Sequence, residues 1–309
     1  MAKMHIERSA DIAAAPERVF QILNDFHSWP SWSPWLIADP EANINTAADG
    51  KSYAWEGPRT GAGNMQITAE TTNEHLAMDL NFLKPWKSKA KVKFNIQATE
   101  NGSRVNWTMD SSLPIFLFWM KKSMEAYVGS DYERGLSMLK NLAEDGKVHS
   151  RLEFMGETDF PGSAYVGIRR ELSLDQMQKE MGSDFSQLFS WFKTSETEPT
   201  GPGFTIYHKW DMVKRRTAYT AGFPIAGQPP AAPENSNLFF GQLPTIRAYR
   251  LRHIGSYHHL GNAWATVQMM IRSKEFKPSK KLHPFELYIT QPDQVPEQES
   301  ITDLYFPLR

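Results

Sequence analysis

The strongest constraint on the fold is a change in the spacing of apolar residues. Between positions 51 and 109 they recur at every second residue, and further along the chain they recur at the three- to four-residue spacing of a helix. In residues 90–98 apolar side chains alternate with lysines and polar residues, and Asn101-Gly102 then supplies a hairpin turn. This pattern predicts a meander of antiparallel strands with one buried face. Apolar side chains in residues 120–142 recur at helical spacing, which predicts a long helix that covers this face and ends near Asp145-Gly146.

Two apolar segments flank these strands. Pro16 suits the first turn of a helix, and the apolar residues after it share one helical face, namely Val19, Phe20, Leu23 and Phe26. Residues 113–120 form the longest apolar run of the chain. This run is too short to span a bilayer, so no membrane insertion is predicted and the run is interpreted as the buried start of the long helix.

Length and composition narrow the class of protein. A chain of 309 residues favours two domains of roughly 150 residues each. Lys and Arg number 34 against 35 Asp and Glu, so the net charge of -1 offers no field for a polyanion and no direct nucleic-acid partner is predicted. The absence of cysteine excludes disulfides and sulfur-based zinc sites and fits a cytoplasmic location, as does the lack of an apolar leader segment. No metal site and no cofactor are predicted.

A cluster of tryptophans precedes the strands, in the segment Trp29-Pro30-Ser31-Trp32-Ser33-Pro34-Trp35. The two prolines fix φ and remove backbone donors, so the segment is predicted to be a rigid aromatic loop. Two interpretations stay open: the indoles pack the edge of a core, or they rim an apolar pocket.

The first half also carries motifs of a known family. These motifs are the tryptophan segment, Tyr53-x-Trp55-Glu56-Gly57, Val105-x-Trp107 and Gly129-Ser130-Asp131-Tyr132. Together they resemble the polyketide cyclase/dehydrase branch of the START-like (SRPBCC, Bet v 1-like) superfamily, over a domain placed at residues 1–147. The resemblance implies a helix-grip fold with a deep hydrophobic cavity. Its predicted lining is Trp29, Trp32, Trp35, Trp55, Met65, Phe82, Phe94, Trp107 and Met124.

The second half contains an internal repeat with a spacing of roughly 80 residues. The segment Ile206-Tyr207, Asp211 and Phe223-Pro224-Ile225 is echoed by Leu287-Tyr288, Asp293 and Phe306-Pro307-Leu308. Upstream, a strand at residues 164–169 matches one at residues 248–253, and helical patterns follow at 174–192 and 260–271. A strand-helix-strand-strand unit used twice is therefore predicted, with chance similarity as the alternative. The cleft between such halves is a natural ligand site.

This half, placed at residues 148–309, resembles the GyrI-like effector-binding domain found in AraC-type and MerR-type regulators. The matching residues are His253-Ile254-Gly255-Ser256-Tyr257, Trp264 and Thr302-Asp303-Leu304-Tyr305-Phe306-Pro307. In the family the terminal motif usually carries a glutamate that projects into an aromatic pocket and meets cationic ligands. This chain has Asp303 at that position.

A carboxylate flanked by aromatic rings stabilises a desolvated cation through Coulomb attraction and the ring quadrupole. The predicted cage consists of Asp303, Tyr165, Tyr207, Tyr257, Trp264 and Tyr288. The alternative for Asp303 is a strand-end acid bonded to backbone or to an arginine.

Two functions follow from these features. The preferred hypothesis is a small-molecule binding protein, a sensor, carrier or sink for hydrophobic, aromatic or cationic molecules that acts with a possible protein partner. The alternative is an enzyme, a polyketide cyclase/dehydrase-like protein or a GyrI-like hydrolase in which Asp303 serves as base. No other catalytic residue is assigned, because neither half shows a set of nucleophile, base and orienting group.

Overall fold

The computed structural model describes residues 2–227, 236–291 and 294–309. The α-helices of these residues are α1 (Pro16–Leu23), α2 (Lys121–Asp145), α3 (Leu174–Thr194) and α4 (Gly261–Arg272). The strands of the first 113 residues are β1 (Ala2–Ile12), β2 (Asn43–Thr46), β3 (Ser52–Gly57), β4 (Gly61–Thr71), β5 (His75–Lys84), β6 (Ser88–Thr99) and β7 (Gly102–Leu113). The later strands are β8 (Ser150–Phe160), β9 (Ser163–Ser173), β10 (Phe204–Asp211), β11 (Arg216–Ile225), β12 (Leu238–Leu243), β13 (Ile246–Gly255), β14 (Phe285–Tyr288) and β15 (Ile301–Pro307).

The chain separates into two compact units. One runs from the N-terminus to Ser150 and includes Trp264–Ser273, and the other comprises Arg151–Ala263 and Lys274–Arg309. The domain limits expected from the sequence, 1–147 and 148–309, stay a prediction. No helix in the described part of the chain is both long and apolar enough to cross a membrane.

The first unit contains a seven-stranded antiparallel sheet in the order β1-β7-β6-β5-β4-β3-β2. Strands β2 to β7 therefore form the meander that the two-residue periodicity predicts. Strand β1 is an edge strand of the sheet and pairs with β7. Buried residues alternate along β6, where Ala90, Val92, Phe94 and Ile96 face inward and the lysines between them are exposed. This alternation gives the sheet one apolar and one solvated face.

Helix α2 supplies the predicted cover. It buries Tyr132, Leu136 and Leu139, which belong to the same hydrophobic cluster as the inward residues of the sheet. The helix ends at Asp145, where Gly146 takes the left-handed conformation with φ of 74° that glycine adopts at low cost. The α+β fold and the long helix are confirmed.

The interpretation of residues 113–120 as the buried start of this helix is wrong. A 3-10 helix, Ile115–Met120, precedes α2, and Phe118 and Trp119 are 66% and 68% exposed. Hydrophobicity alone cannot tell a buried helical turn from an exposed apolar one, because the run is too short to show a periodicity.

The second unit contains an eight-stranded sheet in the order β12-β9-β11-β10-β14-β15-β13-β8. Along the chain the predicted order of elements occurs twice, as β9-α3-β10-β11 and as β13-α4-β14-β15, although α4 from Trp264 onward is grouped with the first unit. The strands of the two copies meet in this sheet at the central pair β10 and β14, where Thr205 lies opposite Glu286. The repeat predicted from the sequence also includes Asp293, which lies outside the residues that the structure describes.

Candidate functional site

The centre of the repeat holds a buried carboxylate surrounded by hydroxyl groups. Glu286 is 1% exposed, and its Oε2 accepts hydrogen bonds from the hydroxyls of Tyr207 at 3.1 Å and Tyr288 at 2.9 Å. The Tyr288 hydroxyl also lies 2.8 Å from Thr205 Oγ1, the residue opposite Glu286 in the register. The two copies of the repeat thus bring one carboxylate and two phenols to a single point.

Aromatic and sulfur-containing side chains complete this cluster, which we call the Glu286 cluster. From α3, the ring of Phe185 lies edge-on to Tyr288 at 5.6 Å, and Met181 Sδ lies 3.7 Å from the Tyr288 hydroxyl. The ring of Tyr257 stands edge-on to Tyr288 at 5.7 Å and is 36% exposed. Tyr257 therefore links the buried carboxylate to solvent.

The phenol groups of Tyr207 and Tyr288 stay protonated over a wide pH range. Burial raises the pKa of Tyr207 and of Tyr288 well above the ordinary value for tyrosine, and the negative charge of Glu286 raises both further. Burial, followed by the charge of Glu286, also raises the pKa of Tyr257. At neutral pH the hydroxyls of Tyr207 and Tyr288 are therefore donors to the carboxylate.

Asp303 lies on the other face of the sheet. In the register of β14 and β15, Asp303 is opposite Leu287, whereas Glu286 is opposite Leu304. Residues that face each other across two strands share a face and neighbours along one strand alternate, so Asp303 and Glu286 point in opposite directions. The predicted cage is thus divided between the two faces.

The partner of Asp303 is an arginine. Asp303 is 1% exposed, and it accepts hydrogen bonds from Arg252 Nε at 2.7 Å and Arg252 Nη2 at 3.0 Å. Arg250 Nη1 lies 3.8 Å from the same carboxylate. This is the arrangement that the arginine alternative for Asp303 anticipated, and the role of Asp303 as ligand contact or base stays a prediction.

The other residues of the predicted cage are also separated. Tyr207, Tyr257 and Tyr288 lie in the Glu286 cluster, whereas Tyr165 packs against Phe204 at 5.1 Å and Phe239 at 5.8 Å. Phe204 is opposite Leu287 and so shares the face of Asp303. Trp264 lies near the start of α4 and is half-buried.

Glu286 is not among the predicted site residues, although two features of the sequence point to it. Residues 204–207 and 285–288 occupy equivalent positions of the repeat, and Glu286 stands where the first copy has Thr205. A carboxylate at an inward position of a short apolar strand is expensive unless it is hydrogen-bonded. Glutamate at a position where the first copy has threonine is therefore the sequence feature that could have identified this residue.

In the first unit the predicted lining residues share one hydrophobic cluster, with Trp29, Trp32, Phe94 and Trp107 at most 1% exposed. The Trp107 ring is stacked on Phe94 at 4.8 Å, and the rings of Trp29 and Trp32 are 4.9 Å apart. The half-buried members of the cluster are Trp35, Phe82 and Met124. Trp29 and Trp32 are thus core residues, as the first interpretation of the tryptophan loop proposed.

The side chain of Trp35 is half-buried and forms a hydrogen bond with the long helix α2. Its Nε1 donates a hydrogen bond to Asp131 Oδ2 at 3.1 Å, and Arg134 Nη2 donates to the other oxygen of that carboxylate at 2.5 Å. The loop is therefore anchored to α2 by a polar contact as well as by packing. Trp55 and Met65, on adjacent strands, are 9% and 4% exposed.

Several solved structures are similar to this chain, and none of the curated proteins matches it. The C-terminal domain of EcmrR is 17% identical, with 52% of this chain and 98% of that domain covered and a TM-score of 0.39. The Aha1 dimer from Colwellia psychrerythraea is 20% identical, with coverages of 47% and 98% and a TM-score of 0.36. A protein from Chromobacterium violaceum is 14% identical, with coverages of 46% and 98% and a TM-score of 0.36.

Family models match both halves. Residues 3–144 match the model described as polyketide cyclase / dehydrase and lipid transport, and residues 157–309 match the model of the GyrI-like small molecule binding domain. The chain therefore joins a member of the polyketide cyclase / dehydrase and lipid transport family to a GyrI-like small molecule binding domain.

Proposed function

We propose that this protein is a small-molecule binding protein, a sensor, carrier or sink, whose C-terminal half takes a cationic and partly aromatic ligand at Glu286. The observation that supports this function best is the burial of the Glu286 carboxylate among tyrosine rings. Such a site combines a negative charge with the electron-rich faces of aromatic rings, and both attract a cation that has lost its water.

Two phenols donate hydrogen bonds to Glu286 Oε2, and such bonds stabilise the charged form of the carboxylate. Asp303, on the opposite face of the sheet, accepts hydrogen bonds from Arg252, and Asp184 accepts one from Arg170 Nη2 at 2.6 Å.

The test is a binding titration of the full-length protein with tetraphenylphosphonium, an apolar monovalent cation. We expect Glu286→Gln to weaken binding at least about ten-fold, because the variant keeps the shape of the side chain and removes its charge. Asp303→Asn is the matched control, since it removes a buried charge on the opposite face and should leave this affinity unchanged.

Triphenylphosphine oxide, of similar shape and without a net charge, separates charge from shape. Its affinity should be the same for the wild type and for Glu286→Gln. Equal cation affinity in the wild type and Glu286→Gln, or a loss confined to Asp303→Asn, would refute the proposed site. Circular dichroism of each variant checks that the fold is retained.

For the N-terminal half we propose an apolar ligand, held among the residues of the aromatic cluster. The support is the family of this half together with the hydrophobic cluster that contains Trp55, Phe82 and Met124 as well as the buried indoles. Thermal unfolding with added polyketide-like aromatic compounds tests this part. Stabilisation that Met124→Glu abolishes is expected, and no stabilisation at saturating concentrations would refute it.

A further inference from the structure

The first unit exposes its large hydrophobic side chains in one region. Within the described residues of this unit, every large hydrophobic side chain that is strongly exposed lies in residues 83–86 or 118–127, namely Leu83 (48%), Trp86 (50%), Phe118 (66%), Trp119 (68%) and Tyr127 (49%). Isolated exposed hydrophobic residues are ordinary, whereas a contiguous group of this kind marks an interaction surface.

The strand register brings the two segments to the same end of the sheet. Phe82 on β5 is opposite Ser88 on β6, so the turn that carries Trp86 lies beyond this pair. Ala90 on β6 is opposite Ser111 on β7, so the chain that continues to Phe118 leaves the neighbouring strand at the same end. The two apolar segments are therefore neighbours in the fold although roughly 30 residues separate them in sequence.

The same segments are rich in lysine. Residues 83–89 and 117–125, which we call the aromatic-lysine end, contain Lys84, Lys87, Lys89, Lys121 and Lys122 against the single acid Glu125. Lys84 pairs with Glu56 at 2.6 Å and Lys121 with Glu125 at 3.6 Å. The excess of positive charge is local, because the net charge of the chain is -1.

We propose that the aromatic-lysine end docks on the surface of an anionic lipid bilayer. Tryptophan prefers the interface between lipid headgroups and acyl chains, and lysine lies along such a surface with its stem in the apolar layer and its ammonium group at the headgroups. Surfaces that bind proteins are also rich in aromatic residues but are depleted in lysine, so the composition favours a membrane over a protein partner. Each lysine near an anionic bilayer adds an attraction that salt screens.

The test is flotation of the full-length protein with two kinds of vesicle, phosphatidylcholine alone and phosphatidylcholine with roughly one third phosphatidylserine. We expect binding to the anionic vesicles that weakens at high ionic strength. The double variant Trp86→Ala/Trp119→Ala should weaken binding at least about ten-fold. Lys87→Glu/Lys122→Glu should weaken it at least about five-fold for each lysine.

Two matched controls use side chains that do not belong to the aromatic-lysine end. Trp210→Ala removes a tryptophan of the other unit that is 46% exposed, and Lys93→Glu reverses an exposed charge inside β6. Both should bind vesicles like the wild type. Because the replaced side chains are exposed, thermal unfolding of all variants should match that of the wild type.

Three results would overturn the proposal. The first is no binding to anionic vesicles at low ionic strength, and the second is equal binding by the variants and their controls. The third is a dimer in sedimentation velocity that Trp86→Ala/Trp119→Ala dissociates without any vesicle binding, which would assign the surface to contact between two copies. None of these results bears on the cation site at Glu286.

Discussion

Replacing Asp303 by asparagine separates a structural role of this carboxylate from a ligand-binding one. The side chain is 1% exposed and accepts a two-pronged set of hydrogen bonds from Arg252, which is 25% exposed. Asparagine keeps the size of the side chain, but it removes the charge and turns one acceptor into a donor that faces the guanidinium group. The Arg252 charge then remains half-buried without its partner.

The expected cost follows from this geometry. Breaking a fully buried ion pair by removing one partner costs about 3–5 kcal/mol. Arg252 retains access to water, which lowers the penalty, so Asp303→Asn should reduce the free energy of unfolding of this unit by about 2–3 kcal/mol. The affinity for a cation at Glu286 should not change, because the two carboxylates lie on opposite faces of the sheet.

Hydrogen exchange of the full-length protein, followed by mass spectrometry on peptides from β13 and β15, measures this loss where it occurs. A loss of 2 kcal/mol or more corresponds to exchange that is at least about 30-fold faster. A double-mutant cycle with Arg252→Met isolates the coupling between the two side chains. Unchanged exchange together with loss of cation binding would refute this reasoning and return the ligand-binding role to Asp303.

Three further results are expected. Gly135→Ala should lower the melting temperature, since an added Cβ would lie 2.7 Å from the Trp107 ring and overpacking of this kind costs about 1–3 kcal/mol; an unchanged melting temperature would contradict this. Burial, followed by the charge of His259, lowers the pKa of His253 to about 4, so the unfolded state binds more protons below pH 6.5 and stability should fall by up to about 3 kcal/mol as the pH drops towards 4. His253→Gln should flatten that slope in thermal unfolding, and an unchanged slope would count against it. Tyr207 and Tyr288 should stay protonated in an ultraviolet titration of the folded protein beyond pH 10, and ionisation at the ordinary pH of tyrosine would show that their hydroxyls are neither desolvated nor close to the Glu286 charge.

Periodicity predicts the fold of this chain because each sheet has inward and outward positions that differ in solvation. Alternation along residues 90–98 anticipated β6 and its exposed lysines. Strand β1 was not predicted, although Met4, Ile6, Ala10 and Ile12 recur at every second position; Arg8 interrupts this apolar set. Its pairing with β7 arises from tertiary contact, which local sequence does not reveal.

The candidate site was predictable only in part, because a strand exposes two faces and the register decides which residues share one. Tyr207 and Tyr288, equivalent in the repeat, were predicted as site residues and do meet. Asp303 follows Thr302 on β15, and a shift by one residue reverses the face on which a side chain lies. Without the register between β14 and β15, nothing in the sequence places Asp303 away from Tyr288.

The repeat explains why one carboxylate lies at the centre of the second sheet. Each copy carries a strand with phenylalanine first and tyrosine fourth, and antiparallel pairing of β10 with β14 sets the second residues opposite each other. If both were threonine, two neutral hydroxyls would meet there. Glutamate in the second copy alone gives the pair a single negative charge that both tyrosines reach. A second glutamate at position 205 would put two buried carboxylates side by side, and their repulsion would oppose ionisation of both. The difference between the two copies at this position therefore gives the centre of the sheet one carboxylate without a second acid beside it to repel it.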